Sequence, residues 1–261
     1  MFWITFIFLV VTSKVSCEPQ SLRILYGRDA EEGEFSYVVA LFSMNSNEDR
    51  ILAPRQCTGS VIAKDWVLTA AHCLLFAKLE NLYVLHTNFT VSPLISKQYA
   101  KAIKFFIHPG FSTYAFNNDI GLLQVDKLEM NSYGQLLAVD HLTMIGLPVT
   151  YVGAGSTRET KGGDDALRPL QVGEAGITTC PSEVVENYYR VRQKYIICLA
   201  ATTDNIFQIP FYGDSGGPLL FEDRIVGVCS IGSGKSFLNG DSYAAVSPHL
   251  TWIYNVLHNK Y

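Results

Sequence analysis

The chain has 261 residues, of which 48% are apolar and 17% charged. This composition supports a sizeable folded core and excludes global disorder. The formal net charge of -4 lacks the basic excess typical of nucleic-acid-binding proteins, so no nucleic-acid partner is expected.

Residues 1–17 show the pattern of a secretory signal peptide. The segment 1–11 (MFWITFIFLVV) is almost purely apolar, but it is much shorter than the roughly 20 residues that span a bilayer. A stretch of small residues ends at Cys17, where cleavage is predicted. A buried N-terminal strand is the alternative. We therefore expect a secreted, extracellular protein that does not bind a membrane.

Short apolar runs of strand length recur along the chain with turn residues between them. They lie at residues 37–42, 60–63, 66–68, 103–107, 120–125, 217–221 and 224–228. This spacing predicts an all-β sandwich or barrel. The best helical pattern is 248–257, which begins with a proline, and 182–194 is a weaker one. The glycine- and charge-rich stretch 153–165 predicts an exposed loop.

The cysteines indicate disulfides rather than a metal site. They are Cys17, Cys57, Cys73, Cys180, Cys198 and Cys229. In an oxidising compartment either of the short gaps 57–73 and 180–198 could close a disulfide loop, although spacing alone proves neither. The chain has no C-x-x-C pair, so no structural zinc site is expected. The triplet 88–90 (NFT) is a glycosylation motif if its asparagine is exposed.

Three segments together suggest nucleophilic catalysis. They are 68–73 (LTAAHC), 117–123 (NNDIGLL) and 213–219 (GDSGGPL). A serine hydroxyl such as that of Ser215 attacks a carbonyl only when a base takes its proton. The imidazole of His72 can do so near neutral pH, and a carboxylate such as Asp119 fixes its tautomer. Each residue alone would more often have a structural role.

In their order along the chain, these segments resemble the chymotrypsin/trypsin-like serine protease family. The resemblance covers about residues 24–252. It implies two antiparallel six-stranded β-barrels packed together, with a C-terminal helix. Residues 24–261 would form the protease domain, with the boundary between its barrels near 130–150. The first barrel would carry His72 and Asp119, and the second would carry Ser215.

The resemblance also implies an activity. Ser215 would attack the peptide carbonyl, His72 would act as base and then as acid, and Asp119 would orient the ring. The N–H groups of Gly213 and Ser215 would stabilise the oxyanion. No metal or organic cofactor is implied. The expected partners are protein or peptide substrates, an activating protease and protease inhibitors, and the chain is expected to be a monomer.

Two rival functions follow from other interpretations of the same residues. A non-catalytic homologue would act as a binding or regulatory partner in a proteolytic cascade, but such proteins usually lose a triad residue. A lipase-type esterase is disfavoured because its triad has a different order and its serine lies in a G-x-S-x-G elbow.

By the same resemblance, residues 18–23 form an activation segment that is removed by cleavage after Arg23. The new ammonium group of Ile24 would then fold inward and pair with Asp214. This carboxylate needs a partner because an unpaired buried charge costs several kcal/mol.

The family pattern also assigns the disulfides, as Cys57–Cys73 and Cys180–Cys198. Cys229 would then be a buried thiol that packs as a small apolar residue. A bridge between Cys17 and Cys229 is the alternative.

The specificity pocket is expected to include Ile209 at its base, with Ser230 and Gly232 on the wall that holds the substrate backbone as an added strand. If Asp241 points into the pocket, a basic side chain could bind there. If Gly240 lines the pocket instead, large apolar or aromatic side chains are favoured. The apolar Ile209 favours chymotrypsin-like or mixed cleavage, because a buried Asp241 beside it would be costly without a cation.

Overall fold

The computed structural model describes Ile24 and residues 27–44, 55–128, 130–155, 167–181, 194–200, 208, 210–231 and 242–260. In these residues, short β-strands form two closed barrels, each of six antiparallel strands. The predicted all-β class and two-barrel architecture are therefore confirmed. No helix in the described part of the chain has both the length and the apolar character needed to cross a membrane.

The first barrel is built from consecutive strands of the N-terminal half. Its strands are β2 (Val38–Ser43), β3 (Arg55–Ala63), β4 (Trp66–Thr69), β5 (Leu82–Leu85), β6 (Tyr99–Ile107) and β7 (Gly121–Val125). They close in the order β2-β3-β4-β7-β6-β5. A short strand β1 (Arg28–Asp29) precedes this barrel but pairs with the second one.

The second barrel follows the short strand β8 (Gln135–Leu136). Its strands are β9 (Pro148–Gly153), β10 (Gln171–Thr178), β11 (Ile196–Ala200), β12 (Pro218–Phe221), β13 (Arg224–Ile231) and β14 (Ser242–Ala245). Pairing of β9 with β10 closes the ring. Strand β1 adds to β10, and β8 lies parallel to β13.

Both faces of some strands are buried, which explains their unbroken apolar sequences. Along β2, Val39 and Leu41 belong to a cluster made of first-barrel residues. Val38 and Phe42 belong to a different cluster, which also contains second-barrel residues such as Val228. This shared cluster is the seam between the barrels, and burying apolar area there holds the two halves together.

Helices are short and sit between or after strands. They are α1 (Ala71–Leu75), α2 (Pro93–Ser96) and α3 (Leu250–Leu257). Three-residue to four-residue 3₁₀ turns lie at Leu79–Asn81, His141–Met144 and Ser247–His249. Helix α3 buries Trp252, Ile253 and Val256 against the seam cluster, a spacing that places all three on one helical face.

The local sequence patterns agree with most of this structure. The predicted apolar runs all lie on strands, apart from the first residue of some runs. The C-terminal helix was predicted from residue 248 but begins at Leu250, because residues 248 and 249 belong to the preceding 3₁₀ turn. One expectation is wrong in part, since residues 153–155 of the predicted exposed loop are buried. Residues 1–23 and 182–193 lie outside the described residues.

Candidate active site

Strand pairing brings His72 to Asp119. Thr69, the last residue of β4, pairs with Gly121, the first residue of β7. His72 follows β4 on helix α1, and Asp119 shortly precedes β7. A motif after one strand and a motif before its neighbour therefore meet at one end of the first barrel.

The ring of His72 faces a fully buried carboxylate. Its Nδ1 lies 2.7 Å from Oδ2 of Asp119, and the backbone N–H of His72 donates to Oδ1 of Asp119 at 2.9 Å. The Asp119 side chain is 0% exposed and the His72 side chain is 25% exposed. Because a carboxylate accepts hydrogen bonds, Nδ1 carries the proton and Nε2 of the neutral ring is left as a base.

A hydroxyl from the second barrel is the third hydrogen-bond donor to Asp119. Ser230, near the end of β13, donates from Oγ to Oδ2 of Asp119 at 2.6 Å. Burying a carboxylate without such donors would be costly, so three hydrogen bonds make the ionised form tolerable there. This contact was not predicted, because the family pattern assigned Ser230 only to the substrate-binding wall.

Ser215 lies in a tight turn whose glycines are required. Gly213 and Gly216 have φ values of +95° and +85°, a region that favours glycine. A Cβ at Gly216 would also overlap the Thr58 carbonyl oxygen and Oγ1 of Thr69. The turn therefore presses against the first barrel, and any side chain at Gly216 would push Ser215 away from it.

Thr58 on β3 anchors this turn. Its N–H donates to the carbonyl of Ser215 at 2.7 Å, and its hydroxyl donates to the carbonyl of Gly213 at 2.7 Å. The same hydroxyl accepts from the N–H of Ala154 at 2.9 Å. One buried threonine thus links the turn to both barrels, and sequence analysis gave no sign of it.

His72 and the Ser215 turn share a neighbour. Sγ of Cys73 lies 3.8 Å from Nε2 of His72 and 3.6 Å from the carbonyl oxygen of Ser215. Within the described residues, however, no hydrogen bond joins the Ser215 hydroxyl to His72.

Two backbone donors in the turn have no acceptor among the described residues. The N–H groups of Asp214, Gly216 and Gly217 all donate to backbone carbonyls. Those of Gly213 and Ser215 find no partner in the part of the chain that the structure describes. The resemblance predicted that these two N–H groups stabilise an oxyanion.

Asp214 is a second buried carboxylate, and within the described residues its hydrogen-bond partners are backbone groups alone. Oδ1 accepts from the N–H of Gly155 at 2.8 Å, and Oδ2 accepts from the N–H of Phe211 at 2.7 Å. Burial raises the pKa of Asp214 from 3.8 to about 6, against the smaller lowering effects of these bonds and of Arg168. No described residue forms a salt bridge with it. Ile24 is 1% exposed and packs among second-barrel residues.

The comparisons with known proteins agree with this architecture. The family model described as Trypsin matches residues 24–253. The chain belongs to the trypsin family. "Serine protease SP24D" of Anopheles gambiae is 29% identical over 240 residues, which cover 90% of this chain and 81% of that protein. "Trypsin eta" of Drosophila erecta is 26% identical over 252 residues, 95% of this chain and 94% of that protein.

A solved structure supports the fold. The secreted serine protease VesC from Vibrio cholerae matches with a TM-score of 0.65 at 22% identity, over 88% of this chain and 47% of that one. At this identity the likeness concerns the fold alone.

Both disulfides predicted from the trypsin-family pattern are present, as Cys57–Cys73 and Cys180–Cys198. The first ties β3 to helix α1 and so lies directly behind His72. Sulfur and nitrogen atoms of Cys57, Cys73 and His72 lie within 4.8 Å of one another, but the disulfide leaves no thiolate to bind a metal. Cys229 is buried and belongs to neither bridge, whereas Cys17 is outside the described residues.

Part of the predicted site cannot be placed. Ile209, Gly232 and Asp241 of the expected specificity pocket, and Arg23 of the expected activation site, lie outside the described residues. Ser230 is described, and its backbone continues β13 next to the turn of Ser215.

Proposed function

We propose that this member of the trypsin family is a secreted serine endopeptidase, made as a zymogen, that hydrolyses peptide bonds through an acyl-enzyme. The observation that carries the proposal is the contact between Nδ1 of His72 and the buried carboxylate of Asp119. This contact leaves Nε2 as the base, on the side of the ring that neighbours the Ser215 turn.

The chemistry follows from these positions. Nε2 of His72 takes the proton of Ser215 Oγ while this oxygen attacks the carbonyl carbon of the scissile bond. The N–H groups of Gly213 and Ser215 stabilise the negative oxygen that forms. His72 then gives its proton to the departing amine, and the C–N bond breaks. Water repeats the sequence and releases the acyl group from Ser215.

Activation would complete the second half of the site. Cleavage after Arg23 creates an ammonium group on Ile24, which we propose to pair with Asp214. The absence of a salt bridge to Asp214 among the described residues, together with its raised pKa, supports this step. A positive charge beside this carboxylate stabilises its ionised form and holds the neighbouring turn in place.

The test is hydrolysis of a peptide library by the full chain, before and after specific cleavage following Arg23. We expect turnover from the cleaved chain alone. Ser215→Ala should lower it by on the order of 10⁶. Cleavage after basic residues would place Asp241 in the pocket, and cleavage after large apolar residues would favour Gly240.

A cleaved wild-type chain with no more turnover than its Ser215→Ala variant would overturn the proposal. That result would leave the rival interpretation, a binding or regulatory partner in a proteolytic cascade.

A further inference from the structure

His249 lies at the seam between the barrels, at the end of the 3₁₀ turn that precedes helix α3. It is 2% exposed. Across the seam it meets Asn118, which directly precedes Asp119. The second barrel and its terminal helix therefore reach the residue next to the proposed catalytic carboxylate.

The amide of Asn118 is held in a defined orientation. Its Nδ2 donates to the carbonyl of Gly110 at 2.8 Å, so its Oδ1 faces Nε2 of His249 at 3.0 Å. The backbone of Asn118 has a φ of +50°, and its carbonyl accepts from the N–H of Ile120 at 2.7 Å. Asp119 thus lies inside a short segment whose shape depends on Asn118.

The ring of His249 has two acceptors but cannot satisfy both when neutral. Its Nδ1 faces the carbonyl oxygen of Ala245 at 2.8 Å. A neutral imidazole has one N–H group, so it donates either to Ala245 or to Asn118. In the described part of the chain, Oδ1 of Asn118 is offered no other donor than His249.

The surroundings of His249 favour the neutral ring. The ring of His108 lies 4.9 Å from it and the ring of Tyr195 lies 5.9 Å away, while Trp252 packs on His108. Burial lowers the pKa of His249, the Ala245 carbonyl partly opposes this, and His141 lowers it further. Burial also lowers the pKa of His108, to about 4, so this neighbour is uncharged too.

We propose that His249 is a positioning residue, which donates from Nε2 to Asn118 and thereby holds Asp119 against His72. This inference rests on the proposed function, because the readout is turnover. The Asn118 side chain is partly buried, so the loss of this donor removes the contact that ties its amide to the second barrel, and the 108–118 segment can then shift. Displacement of a catalytic group by about 1 Å can lower a rate by about 10²-fold.

The experiment compares three replacements at His249 in the chain cleaved after Arg23. His249→Gln places an amide N–H near the position of Nε2, whereas His249→Asn places one near Nδ1, facing Ala245. His249→Phe keeps a ring and removes both ring nitrogens, and with them the single N–H donor. The matched control is His258→Phe, since His258 is exposed and also faces the carbonyl four residues before it, at 2.8 Å from Tyr254, without contacting Asn118.

We expect kcat to fall about 10-fold in His249→Phe and His249→Asn, with KM within about 2-fold of wild type. His249→Gln should recover most of kcat, and the control should match wild type. In a double-mutant cycle, Asn118→Ala should add little to His249→Phe because both remove one interaction.

Equal kcat values for the Gln and Asn variants would overturn the positioning role, since a merely structural histidine does not distinguish these two donor positions. Additive effects of Asn118→Ala and His249→Phe would overturn it as well. If cleaved wild-type chain itself has no turnover, the proposed function fails, and this inference fails with it.

An independent observation concerns the triplet at residues 88–90. Asn88 is exposed, and its Oδ1 accepts from the N–H and the hydroxyl of Thr90 at 2.9 and 2.8 Å. Phe89 is buried under the guanidinium of Arg55, 5.3 Å from its ring centre, which anchors the triplet with Asn88 outward. We infer that Asn88 is an N-glycosylation site, given the proposed secretion. Its Nδ2 would lose a proton and bond to the anomeric carbon of a lipid-linked oligosaccharide, whose pyrophosphate leaves with the lipid.

The test is expression of the full chain in insect cells, with treatment of the secreted protein by an amide-specific glycosidase. Wild type and Thr90→Ser should lose the mass of one glycan at residue 88, whereas Asn88→Gln and Thr90→Ala should not change. An unmodified Asn88 in secreted wild type would overturn the site. Retention of the chain in the cytosol would overturn both the site and the proposed secretion.

Discussion

The two buried carboxylates of the site, Asp119 and Asp214, differ in what surrounds them. Asp119 accepts from the backbone and ring of His72 and from the hydroxyl of Ser230. Among the described residues, Asp214 accepts from two backbone N–H groups alone, and burial raises its pKa to about 6. The carboxylate of Asp119 therefore already has the partners that the proposed catalysis needs. Under the proposed activation, Asp214 would gain a positive partner only when cleavage after Arg23 frees the ammonium group of Ile24.

The largest effect on turnover should follow from a change at Asp119. Asp119→Asn keeps the shape of the side chain but presents an amide, which favours the ring tautomer with its proton on Nε2 of His72. We expect kcat of the cleaved chain to fall by about 10⁴, the loss typical of a triad carboxylate replaced by its amide. Steady-state kinetics on a peptide substrate measures it. A fall of less than about 10-fold would contradict the assignment of Asp119.

A change at Asp214 should affect turnover only after cleavage following Arg23. Asp214→Asn removes the partner of the Ile24 ammonium, so the donors of the Ser215 turn are no longer held in place. We expect kcat/KM of the cleaved chain to fall by on the order of 10²–10³, the value of one lost oxyanion donor. The uncleaved variant is the control and should be as inactive as uncleaved wild type. Equal rates for the cleaved variant and the cleaved wild type would contradict the proposed pairing of Asp214 with the Ile24 ammonium group.

The two halves should also differ in how pH affects stability. Because the pKa of Asp214 is about 6 in the folded chain and 3.8 ordinarily, the folded state binds more protons between these values. The free energy of unfolding of the uncleaved chain should therefore fall, by about 3 kcal/mol in total, as pH rises from about 4 to about 6.

Urea unfolding of the uncleaved chain across this pH range measures the effect, with Ser215→Ala as background to prevent self-digestion. Adding Asp214→Asn should remove the loss, and cleavage after Arg23 should reduce it. Parallel pH profiles for the chains with and without the Asp214→Asn replacement would show that burial does not govern this carboxyl.

The smallest effect should follow from a change at Thr58, whose hydroxyl joins the Ser215 turn to both barrels. Thr58→Val preserves the shape of the side chain but removes the hydroxyl that joins Gly213 to Ala154. We expect unfolding free energy to fall by about 1–3 kcal/mol, since a buried carbonyl and a buried N–H lose their partner. Thr58→Ser retains the hydroxyl and should recover most of the loss in the same urea titration. Equal stability of the two variants would mean that the hydrogen bonds of Thr58 contribute nothing.

Features that depend on local sequence patterns could be predicted from the sequence. Apolar runs of strand length mark the strands, because both faces of strands such as β2 are buried. The motifs around His72, Asp119 and Ser215 carry the family resemblance. That resemblance in turn predicted the two barrels and the pairing of Cys57 with Cys73 and of Cys180 with Cys198.

Contacts between distant residues could not be predicted in this way. The hydroxyl of Ser230 reaches Asp119 across 111 positions of the chain, and that of Thr58 reaches Gly213 across 155. Serine and threonine on apolar strands are common, and no local pattern distinguishes these two. No local pattern marks His249 either, since its partner Asn118 lies 131 positions away.

The central claim is that cleavage after Arg23 turns a half-assembled site into one in which His72 activates Ser215. Reaction with a fluorophosphonate tests it most directly, because Ser215 Oγ displaces fluoride and keeps the phosphonyl group. We predict that mass spectrometry finds this group on Ser215 of the cleaved chain, and little of it on the uncleaved chain or on cleaved His72→Ala. Equal labelling of cleaved and uncleaved chains, or no labelling of Ser215 after cleavage, would contradict the account.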